Sequence, residues 1–167
     1  MNENSYQGDK KILTDMESFG AILEKSKEVL RCIPGKTKGT IVDFSQSPDL
    51  GPALTVLASL SEGTSQFIHA ERLRIKECDR ITCMREELEK MGAKLIEQQD
   101  GLTIEGVSEL TGAVLDSHND HRVTMALAMA SLKTKGDIVI RNAECVTKSF
   151  PDFWRVFEAL GGDVSYE

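Results

Sequence analysis

The sequence lacks the features that mark membrane, secreted or nucleic-acid-binding proteins. It has no run of ~18 apolar residues, so it predicts no transmembrane helix. Its polar start, Met1-Asn2-Glu3-Asn4, does not resemble a secretory signal peptide. The formal net charge is −7, whereas nucleic-acid binders usually carry a positive excess. We therefore expect neither a membrane nor a nucleic acid as a partner.

Cysteine and histidine are too scattered to predict a disulfide framework or a zinc site. The four cysteines form no Cys-x-x-Cys pair, and we interpret them as reduced thiols in a cytoplasmic protein. The three histidines lack the spacing of zinc ligands, so we expect no bound metal. These positions are Cys32, Cys78, Cys83, Cys145, His69, His118 and His121.

The chain has enough apolar residues for one hydrophobic core. Its length is 167 residues, and 40% of them are hydrophobic, a composition typical of globular proteins rather than disordered ones. This length suits one domain rather than two. We therefore expect residues 1–167 to form a single domain.

The sequence repeats itself at a nearly constant offset of 72 or 73 residues. Several aligned matches at one offset are hard to obtain by chance and indicate a duplicated structural unit. We predict two copies, at approximately 17–88 and 89–160. The matching segments are Glu17-Ser18-Phe19-Gly20-Ala21 with Glu89-Lys90-Met91-Gly92-Ala93, Gly39-Thr40-Ile41-Val42-Asp43 with Gly112-Ala113-Val114-Leu115-Asp116, Ala58-Ser59-Leu60 with Ala130-Ser131-Leu132, and His69-Ala70-Glu71 with Asn142-Ala143-Glu144.

The sequence of each copy predicts short strands that alternate with two helices. In the first copy, Ser47 is the expected N-cap of a helix that ends near Ser61, and a second helix runs from about Asp79 to Gly92. The predicted strands are 21–25 and 29–33 as a hairpin, 40–43, 66–69, 94–98, 102–105, 113–116 and 137–141. Helices are also predicted at about 120–133 and 151–161.

The predicted helices are of two kinds. The helix near Asp79 is amphipathic, with Glu87 among the charged residues that we expect on its solvent face. The segments 50–60 and 123–132 are apolar nearly all round and should be buried on every side. This pattern favours an α/β (α+β) fold in which small sheets surround core helices. Two such units leave an apolar face open, so the chain is expected to self-associate.

Two charged motifs are the candidate functional segments. They are Arg74-Ile75-Lys76-Glu77-Cys78-Asp79-Arg80 and Asn119-Asp120-His121-Arg122, and each leads directly into a predicted helix. Helix N-termini attract anions, and the added cations favour a phosphate or carboxylate site. The adjacent carboxylates indicate acid–base chemistry. The repeat aligns Asp49 with His121 and Lys76 with Lys148. We therefore expect a cluster on one exposed edge near helix N-termini, made of Asp49, Lys76, Glu77, Arg80, Arg122 and Lys148.

Each of these residues also has a simpler interpretation. Asp49 is also explained as an acid favoured by a helix dipole, and Lys148 as an ordinary surface lysine. Lys76, Glu77, Asp79 and Arg80 are also explained as a solvated ion-pair cluster. His121 is also explained as a satisfied residue at a helix start, and Arg122 as the ion-pair partner of Asp120 or Asp116.

Two further segments, Ser45-Gln46-Ser47-Pro48-Asp49 and Val146-Thr147-Lys148-Ser149-Phe150-Pro151-Asp152-Phe153, join the two charged motifs. Together the four segments resemble signatures of a known enzyme family, 5-enolpyruvylshikimate-3-phosphate synthase. The resemblance extends from about Gly20 to Gly162. Cys78 departs from the Ser or Thr usual in the family, and Thr124 from a small apolar residue. The segments are Ser45-Gln46-Ser47-Pro48-Asp49, Arg74-Ile75-Lys76-Glu77-Cys78-Asp79-Arg80, Asn119-Asp120-His121-Arg122-Val123-Thr124-Met125-Ala126 and Val146-Thr147-Lys148-Ser149-Phe150-Pro151-Asp152-Phe153.

The resemblance implies a fold and a division of labour between two domains. Each domain of the family is an inside-out α/β barrel built from three small repeats, and the active site lies between the domains. The chain would be a partial C-terminal domain with about two repeats. Its partner would be the missing N-terminal domain, and alone it is expected to be inactive.

The resemblance also implies substrates and residue roles, without a cofactor or metal. The enolpyruvyl group of phosphoenolpyruvate would pass to the 5-hydroxyl of shikimate 3-phosphate. Asp49, Lys76 and Glu77 would be catalytic, with Asp49 and Lys76 also binding substrate. The remaining substrate-binding residues would be Arg80, His121, Arg122 and Lys148. The alternatives are a related transferase acting on UDP-N-acetylglucosamine and a non-catalytic, truncated anion-binding domain.

Overall fold

A computed structural model describes residues 8–26 and 29–166, and within them five α-helices alternate with short strands. The helices are α1 (Ile12–Ser18), α2 (Gly51–Ser59), α3 (Arg80–Lys90), α4 (His121–Ala130) and α5 (Phe153–Ala159). The strands are β1 (Ile22–Lys25), β2 (Leu30–Ile33), β3 (Ile41–Asp43), β4 (Thr64–Ile68), β5 (Lys94–Gln98), β6 (Gly101–Glu105), β7 (Leu110–Thr111), β8 (Val114–Asp116), β9 (Thr134–Lys135) and β10 (Val139–Arg141).

The strands form four small sheets. β1 and β2 form the predicted antiparallel hairpin. A four-stranded sheet has the order β3-β4-β6-β5, with β3 parallel to β4 and the other neighbours antiparallel. The remaining two sheets are parallel pairs, β8 with β10 and β7 with β9. The mixed α/β architecture predicted from the sequence is therefore confirmed.

Helices α2 and α4 pack against each other in the centre of the core. Leu54 and Ala58 of α2 and Val123 and Leu127 of α4 are almost completely buried. Burying each large aliphatic side chain contributes about 1.5–3 kcal/mol relative to leaving it exposed. This packing fixes the position of the N-terminus of α4, where His121 and Arg122 lie.

Helix α3 begins and ends as the sequence predicts. The side chain of Asp79 accepts hydrogen bonds from the backbone N–H groups of Ile81 and Thr82, at 3.2 Å each. Beyond its C-terminus, Gly92 takes the left-handed conformation, with φ of 86°. The face of α3 that carries Met84 and Leu88 is buried. Glu87 is buried too, with 1% of its side chain exposed, so the expectation of a solvent-facing Glu87 is wrong.

Helix α2 begins later than predicted, and Ser47 does not cap it. A 3-10 turn, Pro48–Leu50, precedes α2, and the Ser47 hydroxyl makes no hydrogen bond with the part of the chain described. The N–H of Leu50 donates instead to the backbone carbonyl of Ser47, at 3.2 Å. Because the N–H of Leu50 already donates to this carbonyl, it is not available to the Ser47 hydroxyl, which would otherwise accept it as a helix cap.

Helix α4 is not buried on every side as the sequence predicts. It ends at Ala130 and continues as a 3-10 turn, Ser131–Lys133. Met129 is 48% exposed and Leu132 is 56% exposed. Burial is set by which elements cover a helix, and among the described residues no element covers this part of the α4 surface. None of the described helices is long and apolar enough to span a membrane.

Several local features recur at the offset of the sequence repeat. Asp43 accepts a hydrogen bond from the N–H of Ser45, at 2.8 Å, and Asp116 accepts the same bond from the N–H of His118, at 2.7 Å. His69 and Asn142 both take positive φ angles, 52° and 56°. These similarities support the predicted repeats 17–88 and 89–160, which stay a prediction until Leu60 and Leu132 are shown to superpose.

Candidate active site

A buried arginine holds the candidate residues together. Arg80 lies in the first turn of α3, and 1% of its side chain is exposed. Its Nε donates to Asp120 Oδ2 at 2.7 Å, Nη1 to Asp49 Oδ1 at 2.8 Å, and Nη2 to Glu77 Oε2 at 2.8 Å. A buried guanidinium is tolerated only when its charge and donors are satisfied. Arg80 therefore fixes the relative positions of three carboxylates.

Asp120 connects the N-termini of α3 and α4. It is fully buried at the N-cap of α4, where Oδ1 accepts a hydrogen bond from the backbone N–H of Arg122, at 2.8 Å. Burial alone would raise the pKa of Asp120, but the hydrogen bond and charge of Arg80 and the helix N–H groups outweigh burial and lower it. The Cys78 thiol donates to the same carboxylate across 3.8 Å.

Asp49 is the meeting point of three cations. It lies in the 3-10 turn before α2, and its Oδ1 is 3.2 Å from Lys76 Nζ while its Oδ2 is 3.4 Å from Arg122 Nη2. Burial acts to raise the pKa of Asp49, yet the donors from Arg80, Lys76 and Arg122 together lower it. Asp49 is therefore ionised near neutral pH.

The guanidinium of Arg122 contacts neither of the carboxylates that its sequence context suggests. Its guanidinium also donates to the backbone carbonyl of Asp49, at 3.1 Å, so two contacts tie it to that residue. Its guanidinium also pairs with Asp9 Oδ2, at 3.9 Å. The interpretation of Arg122 as an ion-pair partner of Asp120 or Asp116 is wrong, because helix α4 directs its side chain toward the turn before α2.

His121 and Ser47 border the cluster with unused hydrogen-bonding groups. His121 Nδ1 is buried and lies 4.0 Å from Glu77 Oε1, too far for a hydrogen bond. The hydroxyl of Ser47, two residues before Asp49, is likewise buried. Within the described residues neither atom has a hydrogen-bond partner, which is unusual for a buried polar group.

The structure brings six of the seven predicted site residues together, five of them through direct polar contacts and His121 within 4.0 Å of Glu77. Lys148 is the exception: it is exposed at the end of a 3-10 turn, Ala143–Lys148, and makes no ion pair with the described residues. Arg80 also differs from expectation, since we expected it at an exposed edge and it is buried. The six connected residues are Asp49, Lys76, Glu77, Arg80, His121 and Arg122.

The motif that contains Arg80 also contains a separate structural arginine. Arg74 Nη1 donates to Asp79 Oδ2 and to Glu97 Oε1, at 2.8 Å each. It therefore ties the N-cap of α3 to strand β5 and takes no part in the Arg80 cluster. The two arginines of one sequence motif thus have different surroundings.

The cluster has equal numbers of positive and negative charges, and the exposure of each cation decides whether a ligand can reach it. Three cations, Lys76, Arg80 and Arg122, face three carboxylates, Asp49, Glu77 and Asp120. The side chains of Lys76 and Arg122 are 24% and 31% exposed, whereas that of Arg80 is 1% exposed. An incoming anion would therefore meet Lys76 and Arg122. The described residues include no group of three or more His, Cys, Asp or Glu that could hold a metal ion.

Sequence reasoning missed the structural importance of Asp120 and Glu87. Asp120 precedes an apolar helix, a position where a side-chain cap is expected, and that signal could have identified it. Glu87 gave no such signal, because it lies in a run of charged residues that includes exposed Glu86 and Glu89.

Comparison with known proteins agrees with the family suggested by the motifs. Residues 1–157 match the family model for EPSP synthase (3-phosphoshikimate 1-carboxyvinyltransferase). The 3-phosphoshikimate 1-carboxyvinyltransferase of Clostridium perfringens strain ATCC 13124 is 49% identical over 160 residues, which are 95% of this chain and 38% of that protein. The protein of that name from Clostridium acetobutylicum is 48% identical over 165 residues, covering 98% of this chain and 38% of the relative.

Solved structures give the same result for the fold. EPSP synthase from Acinetobacter baumannii aligns with a TM-score of 0.76 and 30% identity over 89% of this chain and 38% of that chain. A second structure of the enzyme from that organism aligns with a TM-score of 0.75. The chain thus has the α/β fold of an enolpyruvyl transferase domain and spans about 38% of the length of its curated relatives. On its sequence and its fold, the chain belongs to the EPSP synthase family.

Proposed function

We propose that this chain supplies part of the active site for enolpyruvyl transfer. In this reaction the enolpyruvyl group of phosphoenolpyruvate passes to the 5-hydroxyl of shikimate 3-phosphate, and phosphate is released. The observation that supports the proposal most strongly is the cluster in which Arg80 joins Asp49 and Glu77, with Lys76 and Arg122 beside them. It combines proton-transfer groups with cations for two polyanionic substrates.

Each carboxylate is assigned a different proton. Asp49 accepts the proton of the attacking hydroxyl, and Lys76 contacts that hydroxyl and the developing charge. Glu77 delivers a proton to the methylene carbon of phosphoenolpyruvate, so that the hydroxyl oxygen bonds to the adjacent carbon. The tetrahedral adduct then expels phosphate while a proton leaves the methyl group to a carboxylate, which restores the enolpyruvyl double bond.

The pKa of Asp49 suggests how anionic substrates would activate this base. Before substrate binds, Arg80, Lys76 and Arg122 lower the pKa of Asp49 and make it a weak base. A phosphate or carboxylate group that attracts Lys76 and Arg122 removes two of these stabilising partners from Asp49. The basicity of Asp49 then rises where the hydroxyl must lose its proton.

The other residues are assigned binding and positioning roles. Arg122 and Lys76 hold the phosphate and carboxylate of phosphoenolpyruvate, and His121, whose buried Nδ1 has no partner among the described residues, lines the same pocket. Arg80 acts mainly by fixing the carboxylates, because its side chain is almost completely buried. Lys148 would approach the phosphate from the exposed end of its 3-10 turn. We also propose a cytoplasmic location and self-association through the exposed Met129 and Leu132.

The test is kinetic and uses this chain reconstituted with the N-terminal domain of a related EPSP synthase. Asp49→Ala and Glu77→Ala should each lower the rate of the chemical step by about 10²–10⁴-fold, since each removes a proton-transfer group. Arg122→Ala should mainly raise KM for phosphoenolpyruvate, because it removes a fixed positive charge. The assay is phosphate release with both substrates present.

Matched controls lie outside the cluster. Asp152→Ala and Arg155→Ala change an exposed pair separated by 3.3 Å, and both should leave the kinetics unchanged. Unchanged rates in both the Asp49 and the Glu77 variants would reject the assigned mechanism.

A further inference from the structure

A second buried carboxylate on α3 lies outside the Arg80 cluster. Glu87 has 1% of its side chain exposed and accepts hydrogen bonds from Lys90 Nζ at 2.7 and 2.9 Å. Its Oε2 accepts the backbone N–H of Asp116 at 3.0 Å, and its Oε1 lies 2.7 Å from His118 Nε2. Glu87 therefore connects α3 to the segment between β8 and α4.

Glu87 and Arg80 project from the same face of α3. They are seven residues apart, which is two helical turns with an angular difference of only about 20°. Arg80 binds Asp120, and Glu87 binds the N–H of Asp116 and the ring of His118. The two side chains thus hold the opposite ends of segment 116–120, one with a cation and the other with an anion.

Segment 116–120 needs external support, because its backbone is unusual. His118 and Asn119 take consecutive left-handed conformations, with φ of 50° and 54°. Residues other than glycine rarely adopt this conformation and keep it only where their surroundings hold them. Within the segment, Asp116 Oδ1 accepts the N–H of His118 at 2.7 Å, and Ser117 Oγ accepts the N–H of Asn119 at 3.0 Å.

We propose that Glu87 and His118 are positioning residues that hold segment 116–120 and thereby place Asp120 and the first turn of α4 against Arg80. This geometric role does not depend on which reaction the protein catalyses. The consequence of this role for catalysis rests on the proposed function, since His121 and Arg122 lie in the first turn of α4, which Glu87 and His118 position.

Electrostatics around Glu87 favours this role. Burial would raise the pKa of Glu87, but the hydrogen bonds from Lys90, the N–H of Asp116 and His118 outweigh burial and lower it. Glu87 is therefore ionised near neutral pH and accepts hydrogen bonds from all three groups. Because Lys90 is on α3 itself, only the contacts with Asp116 and His118 cross to the other segment.

The test measures amide hydrogen exchange by NMR on the 167-residue chain without substrate. The informative amides are those of Arg122 and Val123, which donate to Asp120 Oδ1 at 2.8 and 3.4 Å. Glu87→Gln and His118→Leu should each speed exchange at these amides by roughly tenfold, because the opening free energy of this region falls. His118→Gln retains a donor to Glu87 and should largely preserve protection.

Two comparisons separate positioning from a general loss of stability. Glu86→Gln makes the same change one residue earlier, at a side chain that is 45% exposed and paired with Arg85, and should leave exchange at Arg122 and Val123 unchanged. Amides of the paired strands β5 and β6 should exchange as in the wild type in every variant.

Some outcomes would overturn the proposal. If exchange speeds up at Asp116 but not at Arg122 and Val123, Glu87 does not place the first turn of α4. If Glu87→Gln unfolds the chain, the comparison of His118→Leu with His118→Gln decides, and equal exchange in those two variants rejects the role of His118. Because no substrate is used, these results are independent of the enolpyruvyl transfer assay.

Discussion

The candidate site contains a direct contact between two buried charges. Arg80 and Asp120 are 1% and 0% exposed at their side chains, and their closest atoms are 2.7 Å apart. Water cannot compensate either charge if the other is lost. The carboxylates of Asp49 and Glu77 provide partial compensation, but both are more exposed, at 33% and 29%.

Asp120→Asn should therefore lower the free energy of unfolding by about 3 kcal/mol at neutral pH, since it breaks a buried ion pair. The effect should shrink on acidification. The folded state lowers the pKa of Asp120 below the ordinary 3.8, so the stability that it contributes is present above that pH. It is lost as the pH falls through the lower, folded-state pKa. Urea unfolding at several pH values should show wild type and variant converging in acid.

A matched control for Asp120→Asn is Asp152→Asn. Asp152 is also the residue before a helix, α5, but its side chain is 64% exposed and makes no cap hydrogen bond. Its substitution should change stability by less than about 0.5 kcal/mol at neutral pH. A constant difference between wild type and Asp120→Asn at all pH values would contradict the assignment of the stabilising charge to Asp120.

At the scale of residues, the sequence predicts which side chains belong to the cluster better than it predicts their burial. The motifs identified Asp49, Lys76 and Glu77 as neighbours. In the structure Arg80 contacts Asp49 and Glu77, and Lys76 pairs with Asp49. The sequence could not show that Arg80 is buried, because burial depends on packing against Asp120, forty positions later. For the same reason Glu87 could not be distinguished from Glu86, which has the same side chain and the opposite exposure.

At the scale of elements, two glycines mark equivalent close approaches in the two proposed repeats. The N–H of Gly39 donates to the carbonyl of Glu62 at 2.8 Å, and that of Gly112 to the carbonyl of Lys135 at 2.9 Å. A methyl group added at Gly39 would overlap the carbonyl oxygen of Thr64, and one at Gly112 would overlap that of Asp137. The chain therefore needs glycine at both crossings.

Gly39→Ala and Gly112→Ala should each lower the free energy of unfolding by about 1–3 kcal/mol, because the backbone must move to admit the methyl group. Equal sensitivity at the two positions is expected if the repeats are equivalent. Gly35→Ala is the control, since an added methyl group there meets no atom within 4 Å. Thermal or urea unfolding provides the measurement. A large loss at one glycine and none at the other would argue against equivalent units.

Elements with strong local signals were predicted better than those set by their neighbours. The sequence of α3 contains a cap at Asp79, an apolar stripe and a terminating Gly92, and its predicted range was nearly correct. The start of α2 was wrong because backbone bonding in the turn Pro48–Leu50 replaced the expected Ser47 cap. The two-residue strands β7 and β9 were missed, since each is defined by pairing with the other rather than by a local pattern.

At the scale of the whole molecule, the proposed function makes the cluster one wall of a site. Its two accessible cations, Lys76 and Arg122, are both paired with Asp49, so an anion must compete with a carboxylate to bind them. In water an anion competes only weakly with Asp49 for these cations, because solvent screens the attraction between each cation and the anion. A second wall that excludes water would strengthen every contact between these cations and the substrates.

The 167-residue chain alone should therefore show no phosphate release with phosphoenolpyruvate and shikimate 3-phosphate. Adding the complementary portion of the enzyme should restore turnover if the two pieces associate, because both walls would then surround the reacting groups. A complementary portion mixed with the Asp49→Ala chain is the matched control, and it should associate without comparable turnover. Sedimentation velocity would measure association separately from activity. Robust turnover by the lone chain would contradict the argument that this cluster needs a second wall, whereas association without turnover in the wild-type mixture would contradict its assignment to the chemical step.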